Sequence, residues 1–401
     1  MTELVTFLSS QAKQITDPAD HTWMHRALDL SSQAIGRVSP NPGVGAVIVQ
    51  DGQIVGQGHT EPPGQRHAEI VALDQAGKLA SGATMYVTLE PCSHHGRTPP
   101  CLDAILDAGI ARVVIAVRDP NPLVNGRSIA ALQEAGVEVE VGTGASEAIR
   151  INAGFFRRLQ TGRPEIHAKY AMSLDGKIAT HTGHARWITG PEAREQAHLI
   201  RDRSDAILVG IGTVLADDPM LTTRIDDVLA GFGGPSHPVR VVVDSQARTP
   251  ITAAMLRSET PGQTIIAVSE LAPANRISEL RDTGADILTL PDINGRVNLD
   301  ALMLSLGERG INALMVEGGA QIIGSLADEG LIDRVTAFIA PVLLGGDGAP
   351  SPIGGSGVAQ ADHGLRLVEP AFEQIGDDIR ISGYVADRFP DERLLACSPA
   401  S

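Results

Sequence analysis

Hydrophobic positions return along this chain in two periods, one helical and one of strand alternation, and the two take turns. From Asp20 onward, Trp23, Ala27, Leu30 and Ala34 fall at helical spacing, with Asp20 as N-cap and Gly36 as the stop. Pro40, Asn41 and Pro42 break the chain. Val44–Gln50 then reads as a buried strand, Asp51 and Gly52 as a hairpin turn, and Gln53–Gly58 as the partner strand. His67–Ala76 is helical in pattern and Thr84–Glu90 is strand-like, while Pro100–Ala108 is a helix opened by proline and followed by Gly109. A strand over Arg112–Val117, a helix over Ser128–Ala135 and a strand over Val137–Val141 complete the run. Alternation of this kind predicts a three-layer α/β/α sandwich over residues 20–145.

Residues 146–163 read as a linker, with one helix over Ser146–Leu159 and a turn at Thr161–Pro164. The alternation then restarts. Strands are expected at Ile166–Met172, Ala206–Val209, Val239–Val243, Thr264–Val268, Ile287–Leu290, Ala313–Val316, Val335–Ile339 and Ile379–Val385, with a helix over Glu192–Arg203. Residues 164–386 therefore form a second α/β domain. Residues 1–19 read as an N-terminal extension, and 387–401 as a tail carrying Cys397. A chain of 401 residues is long for one core and suits two.

Composition narrows the function classes. A formal charge of −16 repels phosphate backbones, and no Lys/Arg block offsets it, so nucleic acid is excluded as a partner. Three cysteines make no disulfide framework, the N-terminus has no secretion pattern, and no apolar run reaches the ~18 residues of a membrane span. The expectation is a cytoplasmic protein without a membrane partner, in a reducing compartment where paired cysteines hold metal. The sequence leaves a homo-oligomer open.

Two of the cysteines carry the chemistry. Cys92 and Cys101 follow a strand, and His67 and Glu69 precede them. Zinc favours four tetrahedral Cys/His-type ligands, and a catalytic zinc keeps one position for water. His67, Cys92 and Cys101 supply three, and Glu69, two residues past His67 near a helix start, can move protons without binding the metal. His-x-Glu followed by Pro-Cys-x2-Cys is the zinc deaminase pattern, and this chain departs from it with Cys-x8-Cys. A structural zinc completed by His94 or His95 is the competing reading, although those two histidines read more simply as a polar loop lining the cleft.

The longer spacing carries a resemblance. Pro40-Asn41-Pro42 with Val44-Gly45, His67-Ala68-Glu69, and the stretch Glu90–Cys101 together resemble the bifunctional riboflavin-biosynthesis pyrimidine deaminase/reductases, within the cytidine deaminase superfamily. The resemblance implies one zinc per chain on His67, Cys92 and Cys101, Glu69 as proton shuttle, and Asn41 facing the pocket. An Asn41 that serves only its own turn is the alternative.

The second half has its own ordered motifs: Lys169 with Ser173–Lys177, Trp187–Gly190, Gly212–Pro219 leading to Leu221–Arg224, and Val316–Ala320. None is a G-x-G-x-x-G fingerprint, so their chemistry alone says only that anions can bind at Gly-rich helix starts. As a set they resemble the reductase domain of the same family, a dihydrofolate-reductase-like α/β fold using NADPH. That resemblance implies NADPH contacts from Ala171, Trp187, Thr213, Asp217 and Ser245, and from the helix start formed by Gly319, Ala320, Gln321, Ile322, Ile323, Gly324 and Ser325. Ser245, with Arg248, follows a strand where the cofactor's 2′-phosphate can be received. Arg201, Leu221, Arg224 and Glu317 would line the substrate side, together with Ala185. At Ala185 the family usually has a serine, and His184 or Arg186 are the candidates to replace its hydrogen bond. Lys169 and Glu317 are the candidates to assist sugar opening.

The expected function is hydrolytic deamination of 2,5-diamino-6-ribosylamino-4(3H)-pyrimidinone 5′-phosphate, a small pyrimidine ribotide, followed by NADPH-dependent reduction of its ribosyl chain to ribityl. The rivals are a nucleic-acid or nucleoside base deaminase with an accessory domain, and a zinc-stapled nucleotide-binding protein without turnover.

Overall fold

In a computed structural model of the chain, residues 18–93, 99–226 and 233–391 are described. His94, His95, Cys397 and nearly all of the N-terminal extension lie outside them. The chain divides into two compact units: residues up to Ala34 with Gly43–Ile151, and Ile35–Pro42 with everything from Asn152 onward. Among the described residues no helix is long and apolar enough to cross a membrane.

The first unit runs α1 (Pro18–Ala34), β1 (Gly45–Gln50), β2 (Gln53–His59), α2 (Ala68–Ala76), β3 (Thr84–Val87), α3 (Cys101–Asp107), β4 (Arg112–Ile115), α4 (Arg127–Glu134), β5 (Glu138–Val141) and α5 (Ala145–Ile151). Its strands order as β2-β1-β3-β4-β5. β1 is antiparallel to both neighbours, and β3, β4 and β5 are parallel. Helices cover both faces because small residues let them approach. A Cβ on Gly45 would sit 1.8 Å from Ala27 O of α1, and one on Gly58 would sit 2.6 Å from the Val71 side chain of α2. Gly45 and Gly58 pair with His59 and Ala46, so they fall on opposite faces of the pleat. The result is a sheet with α1 and α2 on opposite sides and a fully buried β1 centre at Ala46, Val47 and Ile48.

Asp20 is not an N-cap. The helix begins two residues earlier, at Pro18, and Asp20 lies buried inside its first turn. There it accepts from Tyr86 Oη at 2.7 Å and from both terminal nitrogens of Arg112 at 2.9 and 2.8 Å, tying α1 to β3 and β4. The Arg112 guanidinium holds its carboxyl below the ordinary carboxylate range.

The second unit continues with α6 (Ala153–Thr161), β6 (Glu165–Ser173), α7 (Pro191–Asp202), β7 (Ala206–Gly210), α8 (Ile211–Asp217), β8 (Val239–Val243), β9 (Thr264–Ser269), α9 (Ala274–Asp282) and β10 (Asp286–Leu290). It ends with β11 (Asp292–Ile293), β12 (Arg296–Val297), α10 (Leu299–Glu308), β13 (Ala313–Glu317), α11 (Ala320–Asp328), β14 (Arg334–Ala340), β15 (Leu367–Ile375) and β16 (Asp378–Val385). Nine strands order as β10-β9-β8-β7-β13-β6-β14-β16-β15, parallel through β14 and antiparallel beyond it. Central strands buried on both faces explain the unbroken apolar runs in the sequence, such as Ile207, Leu208 and Val209.

Three local expectations differ from what is found. The helix expected over Ser146–Leu159 is two helices, α5 and α6, broken at Asn152 (φ −103°, ψ 22°). Just after the break, Gly154 packs against the Asn312 backbone, where a Cβ would lie 2.5 Å from the carbonyl oxygen. β15 escaped the pattern because most of it is exposed and Pro370 sits at a register shift, so no alternation marks it. The Pro40–Pro42 break belongs to the second unit. Arg37 holds Asp202 at 3.1 and 2.9 Å, Pro40 O accepts from Arg158, and Asn41 closes its turn by donating its N–H to Val38 O.

Candidate active sites

In the first unit the local sequence brings four groups together from two elements. His67 is the extended residue before α2, and Glu69 lies in that helix's first turn, nearly fully buried. Cys101 opens α3 with no exposed surface, and its N–H donates to Cys92 Sγ at 3.2 Å. His67 Nδ1 lies 3.6 Å from Cys92 Sγ and 3.3 Å from Cys101 Sγ. The three donor atoms lie within 4.8 Å of one another, and one imidazole nitrogen with two sulfurs is a donor set that fits zinc.

The electrostatics favour one negative sulfur and resist a second negative group beside it, as in a cluster that calls for a cation. The Cys101 thiol, ahead of the His67 ring and against burial, draws the Cys92 thiol down to about 4, while the Cys92 sulfur and then burial push Cys101 upward. Burial first, and the Cys92 charge second, push the Glu69 carboxyl up.

Sequence reasoning missed the group that holds this loop. Glu90 is buried, and its carboxylate accepts from four backbone N–H groups: Asp119 at 3.2 Å, Gly126 at 2.9 Å, Ser128 at 3.2 Å and Ile129 at 3.4 Å. Ser128 Oγ donates to Pro91 O at 2.5 Å. The residues just before Cys92 are thus fastened to the start of α4, which fixes where the sulfur points. Nothing in the sequence pairs Glu90 with donors so far along the chain.

The second site is a cavity of about 1600 Å³ beside the carboxyl ends of β7, β8 and β13, the usual ligand side of an open α/β sheet. It exceeds a single small-ligand pocket, so it has room for a dinucleotide and a ribotide together. Lys169 and Glu317 are register partners on the adjacent strands β6 and β13, and Lys169 Nζ donates to Glu317 Oε1 at 2.8 Å. Arg201, from α7, donates to Glu317 Oε2 at 2.5 Å and to Thr222 O at 2.6 Å. Burial alone would raise the Glu317 carboxyl, but Lys169 and Arg201 outweigh it and hold it well below the usual range. With Arg224 also on the wall, three cations face one carboxylate, an excess that suits a phosphate dianion.

Of the positions expected to meet cofactor or substrate, all line this cavity except Gly324 and His184. Gly324 faces away, against Gly354, whose carbonyl carbon would lie 2.3 Å from an added Cβ. Gly318 and Gly319 form the cradle before α11, with φ of +127° and +74°, and a Cβ on Gly318 would come within 2.9 Å of Thr213 Oγ1. That bare backbone at a helix start fits a pyrophosphate. Trp187 is 71% exposed, with the Arg194 guanidinium 4.4 Å from its ring centre. Ala185 and Arg186 line the cavity; His184, whose N–H is held by Thr180 Oγ1, does not.

Two cavity features were not anticipated. One is the β11–β12 hairpin, which turns at Asn294 and Gly295 and whose Val297 N–H donates to Ser245 Oγ at 3.0 Å. Its Asn-Gly pair was the available signal. The other is His198, on α7 between the expected residues.

Comparison with known proteins gives matches over nearly the whole chain. Residues 17–117 match the cytidine and deoxycytidylate deaminase zinc-binding region, and residues 164–381 match the RibD C-terminal domain. The chain is 44% identical over 367 residues to riboflavin biosynthesis protein RibD of Actinobacillus pleuropneumoniae, covering 91% of this chain and 95% of that protein. The solved Acinetobacter baumannii RibD is similar with a TM-score of 0.82 at 37% identity, covering 92% of this chain and 99% of that one. A Thermotoga maritima diaminohydroxyphosphoribosylaminopyrimidine deaminase/5-amino-6-(5-phosphoribosylamino)uracil reductase is similar with a TM-score of 0.79 at 33% identity, with the same two coverages.

Proposed function

The chain belongs to the RibD family of riboflavin-biosynthesis proteins, and from that membership we propose which of its residues carry each reaction. It is a bifunctional enzyme with a zinc-dependent pyrimidine deaminase domain and an NADPH-dependent reductase domain. It deaminates 2,5-diamino-6-ribosylamino-4(3H)-pyrimidinone 5′-phosphate and then reduces the ribosyl side chain to ribityl. The observation that carries the residue assignment is the His67, Cys92 and Cys101 triangle with the buried Glu69 two residues past its histidine.

His67, Cys92 and Cys101 would hold the zinc, which would supply Lewis-acid activation of the attacking water. Glu69 accepts that water's proton and delivers it to the leaving amine. Glu90 keeps Cys92 in place through its four backbone bonds.

When bound in the reductase, NADPH would supply a hydride for C1′ of the ring-opened sugar, whose nitrogen keeps its proton as an iminium, so that the one proton given to the ring oxygen balances the reduction. Ala171, Trp187, Thr213, Asp217, Ser245, Gly319–Ile323 and Ser325 face the cofactor, and Gly324 supports their helix from behind. Arg201 and Arg224 hold the ribotide phosphate. Lys169 hands a proton to the ring oxygen as it leaves, while the ionised Glu317 orients Lys169 and Arg201.

The direct test is one incubation with the diaminopyrimidinone ribotide, following ammonia and NADPH together. One ammonia should appear for each NADPH lost, with ammonia first; NADPH loss without ammonia would overturn the order of steps. Glu317→Gln removes the charge between two buried cations, so NADPH oxidation with the deaminated ribotide should fall about 100-fold while ammonia release is unchanged. Because the Glu317 carboxyl is depressed in the fold, its contribution to stability is present above the ordinary glutamate range and is lost as pH falls beneath about 4. Acid unfolding of the reductase unit should therefore be shallower in Glu317→Gln.

A further inference from the structure

Helix α7 grips the backbone of the segment that carries Arg224. His198 and Arg201 stand three residues apart on that helix, hence on one face. Each bonds to the main chain of the same short segment. Arg201 Nη1 donates to Thr222 O at 2.6 Å, and the Arg224 N–H donates to His198 Nδ1 at 3.3 Å.

The segment needs holding. Leu221 has a φ of +55°, in the left-handed region that a bulky residue adopts only when its surroundings over-determine it. Leu221 is nevertheless 5% exposed and sits on the cavity wall with His198, Arg201 and Arg224. Among the described residues after it, 222–226 form no helix or strand that would fix Arg224 by itself.

We propose that His198 is a positioning residue of the reductase: with Arg201 it clamps Leu221–Arg224 so that the Arg224 guanidinium meets the ribotide phosphate. The proposal rests on the assignment of Arg224 to that phosphate.

The clamp requires a neutral ring. A ring nitrogen that accepts an N–H carries no proton, so the Nε2 position carries it. Burial first, then Arg201 and Arg224, hold the His198 pKa down to about 4, against Glu317, which pulls it up. Nδ1 therefore stays an acceptor throughout the neutral range.

The test uses the full chain. His198→Leu should raise KM for the deaminated ribotide about tenfold with kcat within about threefold, as expected for one lost bond that acts through binding. KM for NADPH should be unchanged, and amide exchange across Leu221–Arg224 should quicken about tenfold. His198→Gln, which keeps an acceptor, should recover most of both losses. A raised KM without faster exchange would make His198 a direct substrate contact and overturn the clamp. Faster exchange with a normal KM would overturn it too, as would a parallel loss of NADPH affinity, which marks general loosening. Arg224→Ala separates the two readings. A normal ribotide KM there defeats the phosphate assignment itself, whereas a raised one beside wild-type behaviour in His198→Leu defeats the clamp alone.

Discussion

Cys101→Ala should empty the chain of zinc and of deaminase turnover together, while NADPH oxidation with the deaminated ribotide stays within about twofold of the parent. Cys101 is one of three donors, has no exposed surface, and opens α3 where its own N–H bonds Cys92 Sγ. Zinc affinity in Cys/His sites amounts to about 10–16 kcal/mol, so one ligand of three is worth on the order of 10²- to 10⁴-fold in retention. Alanine leaves the small buried site without its sulfur but keeps the helix start. Metal content after dialysis against a chelator is the measurement. A Cys101→Ala chain that kept one zinc would show that the ligand set had been misread. The reductase rate serves as the folding control, because its cavity is lined only by residues from Lys169 onward.

The deaminase site was legible because its chemistry is local. His67 and Glu69 are two residues apart at one helix start, and the two thiols, Cys92 and Cys101, stand nine positions apart in the sequence. Helix geometry converts that short spacing directly into proximity, and zinc's preference for nitrogen and sulfur donors identifies the use. Most strands were legible for a similar reason, since the central parallel strands are largely apolar runs such as Ile207, Leu208 and Val209, whereas their order in the sheets was not. Interactions between distant residues left no such trace. Glu90 meets donors 29 to 39 residues away, and nothing in its neighbours predicts a carboxylate bound by four backbone groups. His198 accepts a backbone N–H 26 residues further on, so a helix-face histidine reads as solvated until the loop is placed over it.

Where local patterning misled, a tertiary demand had overridden it. Asp20 has the composition of a cap, yet it is worth more to the fold as the buried partner of Arg112 and Tyr86. The apolar spacing across Ser146–Leu159 continues as if one helix ran through it, but the helix is interrupted at Asn152, and Gly154 in the second piece packs against the Asn312 backbone. Gly324 belongs to a glycine-rich helix start by sequence, and the same close-packing demand turns it toward Gly354 instead of the cavity. In each case the residue type was read correctly and its partner was not.

Glu69→Gln should separate metal from proton transfer. The amide keeps the size of the carboxyl and its place in the first turn of α2, but it cannot accept and return a proton. Zinc content should therefore remain at one per chain while ammonia release falls about 10³- to 10⁴-fold, the upper part of the range for general acid–base catalysis. The reductase rate should not move. The contrast with Cys101→Ala decides the role of each group. If Glu69→Gln also lost the metal, Glu69 would be a ligand and the site would be closed to water, as in a structural zinc centre. Retained zinc with lost turnover places Glu69 at the reacting atoms instead. It also excludes a zinc-stapled binding protein, because such a protein would lose nothing measurable with that one oxygen replaced by nitrogen.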